Sequence, residues 1–595
     1  MRKNYLLLII DSLNYSHVKE SSVELMPFLN QLKQNGLSCD NMFSQAPYTE
    51  AAVMNLYCGQ DVLQNNGYLF RFRDSKTTIF EAMKNAGYIT FYNSFQPQCY
   101  PSSLRRGIDY IYYNVGYDQS AFWSYRIQHY SNLYKKDEIS KCDYEILIEL
   151  FEDNFVEWLK FVSDIINNSE STSMIINNIL DYDAREVERI VSDEFNKYKD
   201  SPEMYINEVL RLGKSHRLFQ IPSFVQNNKI QNREMILKIK EEMTPLFKRI
   251  KSMDRKLNLR NCKGLFRGPC KKLCSMIRRP SKKTYKDFLK SGYLAVNELN
   301  DLDLFQRINE NCDCFKNAPS GRTHLNNYLM WAKKHANDGN HFACVHIDDI
   351  HNPEVFFTYD TADLDLIKKE KNDALRLLDQ IPSTYYGSLT HDLSLRYIDN
   401  VLKDFYSELE SNGMMENLCI TICADHGFSF SGNPLRDSFV INLYLENYNI
   451  PCIFTGTGLE KREIYELRSS KDIPATLCKL ACDRIPDSFT GHSMTENYEY
   501  PEVQIEYCGG GCPDLSRREI KIAAFDKTYF VGTLCTLSDE LVENKITEIY
   551  DLLEDPRQLH NLRQLKYDKE KVRKLLKFIE KRRKEIQDSM NCFTN

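Results

Sequence analysis

Residues 5–10 form an unbroken apolar run behind the polar Arg2-Lys3-Asn4, the pattern of a strand buried on both faces of a sheet, and the run stops at Asp11. Residues 26–35 carry apolar side chains at helical spacing with Gly36 as a stop, and an extended segment follows through 37–43. Residues 78–85 repeat the helix signal before Gly87-Tyr88-Ile89-Thr90-Phe91 opens another strand. Strand alternating with helix predicts a parallel α/β sheet. From about 131 to 322 long amphipathic stretches, such as 144–166 and 235–253, replace the alternation and predict a helical insertion. Alternation returns at 342–347, continues through a helix at 393–411, and reaches a strand at 418–424 that ends in Asp425-His426-Gly427. A smaller segment follows Met494, with an extended stretch near 520–531 and a charged helix from about 568 to 589. No repeat of fixed period is present.

Composition narrows this picture. A chain of 595 residues can bury a large core and carry insertions. Its 77 basic and 83 acidic residues leave a net charge of -6, which gives the whole chain no attraction to nucleic acid or anionic membrane, so no nucleic-acid partner is expected. No stretch approaches the roughly 20 apolar residues of a transmembrane helix. The start imitates a secretory leader, but its apolar run is short and ends in Asp11, so the chain reads as cytoplasmic. Nineteen cysteines, an odd number scattered from Cys39 to Cys592, read as reduced thiols rather than a disulfide framework. Residues 255–283 hold eleven Lys or Arg and no Asp or Glu, which reads as a solvated loop or as a patch for a polyanion. Cys262, Cys270, Cys274, Cys312 and Cys314 fit no common zinc spacing and read as free thiols.

Asp11 and the pair Asp425-His426 stand at strand ends, where open α/β sheets bind ligands. They offer hard oxygen ligands and one imidazole, suited to Mn, Mg, Ca or Zn, although taken alone such residues are more often helix caps and surface turns. His346, inside an apolar run, reads as a core histidine. Glu446 reads as structural.

The order of segments resembles the sulfatase branch of the alkaline phosphatase superfamily over nearly the whole chain apart from the insertion. The strand ending in Asp11 resembles the family's first metal-ligand strand. Met26-Pro27-Phe28-Leu29 through Gly36 is similar to its "tPnLdrLaxxG" helix, and Gly87-Tyr88-Ile89-Thr90 to its "GYxT" strand. Asp349-Ile350-His351-Asn352-Pro353 resembles its "DpHxP" loop, and Asp399 followed by Cys423-Ala424-Asp425-His426-Gly427 its "D…tsDHG" run. Asp472-Ile473-Pro474-Ala475-Thr476-Leu477 with Gly491 and Ser493 follows "DixPTL…GxS", and Tyr550-Asp551-Leu552 with Asp555-Pro556 follows the C-terminal "YDLxxDP".

The resemblance breaks at the nucleophile. Sulfatases carry a Cys or Ser ten residues before a Gly, in "C/S-x-P-S-R", and oxidise it to formylglycine; here Thr49 stands ten residues before Gly59, with Ala51, Ala52 and Val53 in place of Pro-Ser-Arg. Threonine cannot become formylglycine, so none is expected. Phosphoglycerol and phosphoethanolamine transferases of the same superfamily use an unmodified threonine here, activated on a metal. Without the resemblance, Thr49 reads as a helix N-cap and His351 as a turn residue. Ser12 replaces a second acidic ligand, which implies a leaner Mn or Mg site than the sulfatase calcium centre.

The resemblance therefore implies an alkaline phosphatase/sulfatase-like α/β fold, a mixed sheet sandwiched by helices. Its core spans residues 1–130 and 323–500, interrupted by the helical insertion 131–322 and completed by a small α+β C-terminal subdomain, 501–595. It also implies one divalent cation on Asp11, Thr49, Asp425 and His426. Thr49 is the expected nucleophile, His351 the group that assists the leaving oxygen, and Asp349 and His351 the substrate-facing pair. The expected substrate is a small-molecule, glycan- or lipid-linked phosphate or sulfate ester. An inactive scaffold that binds a sugar or protein is the alternative.

Overall fold

The structure is a computed structural model of the chain and describes residues 2–19, 25–64, 76–94, 106–112, 184–212, 320–351, 364–378, 389–428, 443–456, 458–508 and 519–591, with further positions between 127 and 253 and residue 515. Strand β1, Asn4–Ile10, is the apolar run that opens the chain, and Leu6 to Ile10 are fully buried in it. It lies inside an eight-stranded sheet with β2 (Leu37–Cys39), β4 (Ile89–Ser94), β5 (Tyr110–Tyr112), β6 (His341–Ile347), β7 (Leu418–Cys423), β8 (Cys452–Gly456) and β9 (Arg462–Ile464). The order across the sheet is β5-β4-β6-β1-β7-β8-β2-β9. From β5 to β7 every pairing is parallel, while β8 runs antiparallel to both its neighbours, so the sheet is mixed. On β1, Ile9 stands opposite His346 on one side and Cys423 on the other.

The helices follow as α1 (Pro27–Asn35), α2 (Thr49–Cys58), α3 (Ile79–Asn85), α4 (Ala184–Asp200), α5 (Pro202–Leu212), α6 (Gly321–Lys334), α7 (Leu364–Leu378), α8 (Leu389–Ser411), α9 (Asp472–Cys482) and α10 (Lys569–Asn591). Phe91 on β4 stacks on Trp331 of α6 with ring centroids 4.5 Å apart, while the next residue, Tyr92, meets Tyr57 of α2 and Phe80 of α3. Successive strand residues face opposite ways, so α6 and α2/α3 cover opposite faces of the sheet. Helix α8 packs on α6, with α1 and α7 packed on α8, and α9 packs with α2 and α3. Phe342 meets Phe80 and the Cys344 sulfur lies 3.9 Å from the Tyr57 hydroxyl. The alternate residues Phe342, Cys344 and His346, with their partners Tyr5, Leu7 and Ile9, therefore look toward the α2 layer.

The expected segment 37–43 divides into β2 and β3 (Met42–Phe43). At the break the Asp40 N–H donates to Ile464 O and Asn41 Nδ2 to Tyr465 O, which turns β3 out of the main sheet to pair with β10, Arg468–Ser469. Beyond α9, strands β11 (Val503–Tyr507), β12 (Ile520–Phe525), β13 (Tyr529–Cys535) and β14 (Ile546–Asp551) form an antiparallel sheet against which α10 packs. The stretch near 520–531, expected to be extended, holds β12 and the start of β13. Asp526 Oδ1 accepts hydrogen bonds from Thr528 N, Thr528 Oγ1 and Tyr529 N at 2.7–2.8 Å and folds the chain into a hairpin.

Within 131–322, α4 and α5 pack on each other, with the buried Glu194 of α4 accepting a hydrogen bond from Tyr205 of α5. The basic run 255–283 and Cys262, Cys270, Cys274, Cys312 and Cys314 lie outside the described residues. The described cysteines, from Cys39 to Cys535, are free thiols. No helix among the described residues is long and apolar enough to cross a membrane.

Candidate active site

Asp11 follows β1 directly, and Asp425 lies two residues beyond the end of β7. Ile9 and Cys423 are in register, so two further residues on each parallel strand bring the two carboxylates to the same level at the carboxyl end of the sheet. His346 enters from the other side of β1, on β6, and its Nε2 lies 3.5 Å from Asp11 Oδ2 and 3.9 Å from Asp425 Oδ2. The ligand atoms of Asp11, His346 and Asp425 all lie within 4.8 Å of one another and are buried. Thr49 is the first residue of α2, whose N-terminus sits over the same face. The Thr49 hydroxyl donates to Asp11 Oδ2 at 3.2 Å and lies 3.4 Å from His426 Nε2. His426 Nε2 is in turn 3.7 Å from Asp11 Oδ1 and 3.5 Å from Asp425 Oδ2.

On helix α2 the residues Ala51 to Cys58 are all buried, which fixes where its first residue can sit. Its one interior amide, Asn55, donates to Gln45 Oε1 and Gln60 O and accepts from the Ser470 hydroxyl. Ser12 holds the left-handed backbone at φ 62°, and its hydroxyl donates to Asp11 Oδ1 at 2.8 Å. Asp425 Oδ1 accepts from the backbone of His426 at 2.8 Å and of Ser12 at 3.3 Å. His426 Nδ1 lies 2.8 Å from Gly427 O; a carbonyl can only accept, so the proton is on Nδ1 and the Nε2 lone pair points to the carboxylates and Thr49. Asn14 bolts this loop to the exit of β1: its Nδ2 donates to Phe428 O and Glu446 O, and its Oδ1 accepts from Phe428 N. A Cβ at Gly427 would lie 3.0 Å from Glu446 O and 3.1 Å from Asn14.

Burial opposes ionisation of Asp11, yet the imidazoles of His351 and His346 overcome it and hold the carboxyl well below the usual carboxylate range. Burial likewise disfavours the charged form of His346, and Asp11, Asp425 and Asp348 outweigh it and raise its pKa. Neither ring nitrogen of His346 nor Asp425 Oδ2 has a hydrogen-bond partner. Two buried carboxylates with orphaned polar atoms around a common point are costly unless a cation completes them, so the donor set fits a bound divalent metal. Asp11, Asp425 and His426 are the residues that would hold it, and His346 stands beside them.

His346, read as a core histidine, is buried in β6 and also borders the carboxylate cluster. It lies inside an apolar run, and only the adjacency of β6 to β1 brings it to Asp11. His351 has a side chain 38% exposed, its ring 6.3 Å from that of His426 and its Nδ1 4.0 Å from Asp348, which leaves it at the mouth of the site. Asp349, expected to face the substrate, is buried at the start of α6, where its Oδ2 accepts the Gly321 N–H at 2.7 Å. Asn14 was not singled out from the sequence; nothing about an asparagine after a strand announces that role. Glu446 contributes its backbone carbonyl to Asn14.

No curated protein matches the chain. Among solved structures, a Bacteroides thetaiotaomicron protein from a locus for metabolism of multiple glycosaminoglycans is 12% identical, covers 99% of this chain and 97% of its own, and superposes with a TM-score of 0.51. The phosphonate monoester hydrolase of Silicibacter pomeroyi is 11% identical over 99% of this chain and 96% of its own, with a TM-score of 0.47. An alkaline phosphatase superfamily protein from Vibrio parahaemolyticus is 11% identical over 99% of this chain and 88% of its own, also at 0.47. The fold is the alkaline phosphatase-like α/β architecture with a small antiparallel C-terminal sheet. The sulfatase family model matches residues 3–176 and 285–483, passing over part of the insertion and taking in Asp11, Thr49, His346, Asp425 and His426. The chain belongs to the sulfatase family of the alkaline phosphatase superfamily.

Proposed function

We propose that the protein is a metal-dependent hydrolase or transferase of phosphate or sulfate esters, with Thr49 as nucleophile and phosphoryl transfer as the favoured chemistry. The observation that carries the reading is the Thr49 hydroxyl, 3.2 Å from Asp11 Oδ2 and 3.4 Å from His426 Nε2 at the head of a buried helix. Asp11, Asp425 and His426 would hold a divalent cation, which would supply Lewis acidity to the Thr49 hydroxyl and offset charge on the transferred group. Thr49 Oγ1, its proton released to solvent, forms the bond to phosphorus as the bond to the ester oxygen breaks. His351, exposed at the mouth, gives that oxygen its proton. The N-terminus of α2 favours negative charge beside Thr49. A second nucleophile, water or an alcohol, then displaces Thr49 at phosphorus. A sulfatase formylglycine hydrate releases sulfate by collapsing to an aldehyde; a threonine ester has no such route, which supports phosphorus over sulfur.

The test is turnover of p-nitrophenyl phosphate, a phosphodiester and a sulfate ester by the metal-loaded full chain, with high-resolution mass spectrometry of the peptide that holds Thr49. The expected outcome is a phosphorylated Thr49 in quenched wild type and a loss of roughly 10³-fold or more in Thr49→Ala. Undiminished activity in that variant removes Thr49 from the mechanism, and bound metal without turnover of any ester supports a binding scaffold instead. Added alcohol acceptors raise turnover if the natural reaction is transfer.

A further inference from the structure

We propose that His346 is a direct metal ligand, which makes the centre a two-imidazole, two-carboxylate site that selects a zinc- or iron-class dication over calcium and magnesium. The inference rests on the reading that Asp11, Asp425 and His426 hold a cation, and it adds a fourth side chain and the class of ion.

His346 is 1% exposed, and both its ring nitrogens lack a hydrogen-bond partner. A buried imidazole in that state is costly unless something takes its lone pair. The side chain is aimed at the cluster: β6 is in register with β1, and Ile9 opposite His346 is two residues from Asp11, on the face that looks toward α2. The separations around the common point run from 3.2 Å for Thr49 to Asp11, through 3.5 Å for His346 to Asp11, to 3.9 Å for His346 to Asp425. Donor atoms that share one cation at bond lengths of about 2.0–2.4 Å stand at such distances.

Donor chemistry then selects the ion. Calcium takes six to eight oxygens, and magnesium an octahedron of oxygens and waters. Here the position after Asp11 is Ser12, whose hydroxyl is spent on Asp11 Oδ1, so no second carboxylate comes from β1. Its place in the donor count falls to an imidazole from β6. Two nitrogens with two carboxylates suit zinc or iron.

The competing account is that His346 is an imidazolium that neutralises the carboxylates itself. Metal affinity of the full chain, measured by equilibrium dialysis against Zn²⁺ and Ca²⁺, separates the two. His346→Gln, which keeps a polar amide of similar size, is expected to weaken Zn²⁺ binding on the order of 10²-fold while Ca²⁺ affinity changes less than about threefold. Unchanged Zn²⁺ affinity, or an equal loss for both ions, overturns the proposal. A measurement on wild type guards against a variant that fails to fold: with ¹⁵N-imidazole histidine and Mn²⁺ as probe, pulsed electron paramagnetic resonance is expected to show two coupled histidines, and a single one overturns it. Asp425→Asn isolates the underlying reading. If it abolishes binding while His346→Gln does not, only the inference falls; if it too binds as wild type, the metal centre itself is misassigned.

Discussion

Gly59 shows how one residue fixes the far end of the element that carries Thr49. It closes α2 at φ 59°, with its N–H on Asn55 O, and a Cβ there would lie 2.5 Å from the Phe489 ring. An L-residue is strained in that backbone region, and Phe489 is partly locked in the core. Gly59→Ala is therefore expected to destabilise the fold by about 2–3 kcal/mol, read as a fall in urea midpoint; a variant as stable as wild type contradicts this account. At the same scale, the sequence exposed some ligands and hid another. Asp11, Asp425 and His426 each end a continuous apolar run, and a carboxylate at a buried strand's tip is legible without a structure. His346 sits inside such a run, and its meaning depends on strand order, which no local pattern encodes. Asn14 is hidden for the same reason, since its partners at Phe428 and Glu446 are more than four hundred residues away.

Asp399 joins two elements. It projects from α8 to the start of α1, where its carboxylate accepts the Phe28 and Leu29 N–H groups at 3.0 and 2.8 Å. These are orphan donors that every helix N-terminus must satisfy. Burial lifts the pKa of this carboxyl to about 6, against the two backbone hydrogen bonds and the charges of Arg396 and Lys403, which pull it down. The native state then keeps a proton that the unfolded chain releases between about pH 4 and 6, so this group's contribution to stability is full below pH 4 and is lost as pH rises through 6. Asp399→Asn removes the titration. The stability difference, wild type minus variant, is expected to fall between pH 4 and 7 by on the order of 2–3 kcal/mol, and a difference that stays constant across that range refutes it. The sequence marked α1 and α8 correctly because each has a long helical period. It could not separate β12 from β13, because the turn is made by one aspartate hydrogen-bonding three donors within a stretch that is otherwise apolar enough to pass for a single strand.

At the level of the whole molecule, the α/β core and the C-terminal sheet are held together by buried charge. Asp61, just past α2, accepts hydrogen bonds from Gln45 and Gln504 at 2.8 Å and from Lys471, at the entrance to α9, at 2.7 Å. Its carboxyl is held well below the usual range: burial resists, but Lys471 and Arg582 overcome it. Arg582 of α10 pairs with the fully buried Glu506 of β11, with Nη2 3.2 Å from Oε2, and stands 3.9 Å from Asp61. Glu506 in turn accepts the Leu63 N–H, so the terminal helix, the small sheet and the segment after α2 share one set of ions. Removing the guanidinium strands Glu506 in the interior, whereas removing both charges does not. Arg582→Ala is expected to cost about 3–5 kcal/mol, and the double variant Arg582→Leu with Glu506→Leu to recover most of that loss. Because the pair is buried, the loss should persist in 1 M salt, where an exposed pair would be screened. Urea unfolding of the single and double variants at low and high salt measures both, and a single variant within about 1 kcal/mol of wild type would show that the two sheets are joined by their apolar contacts alone.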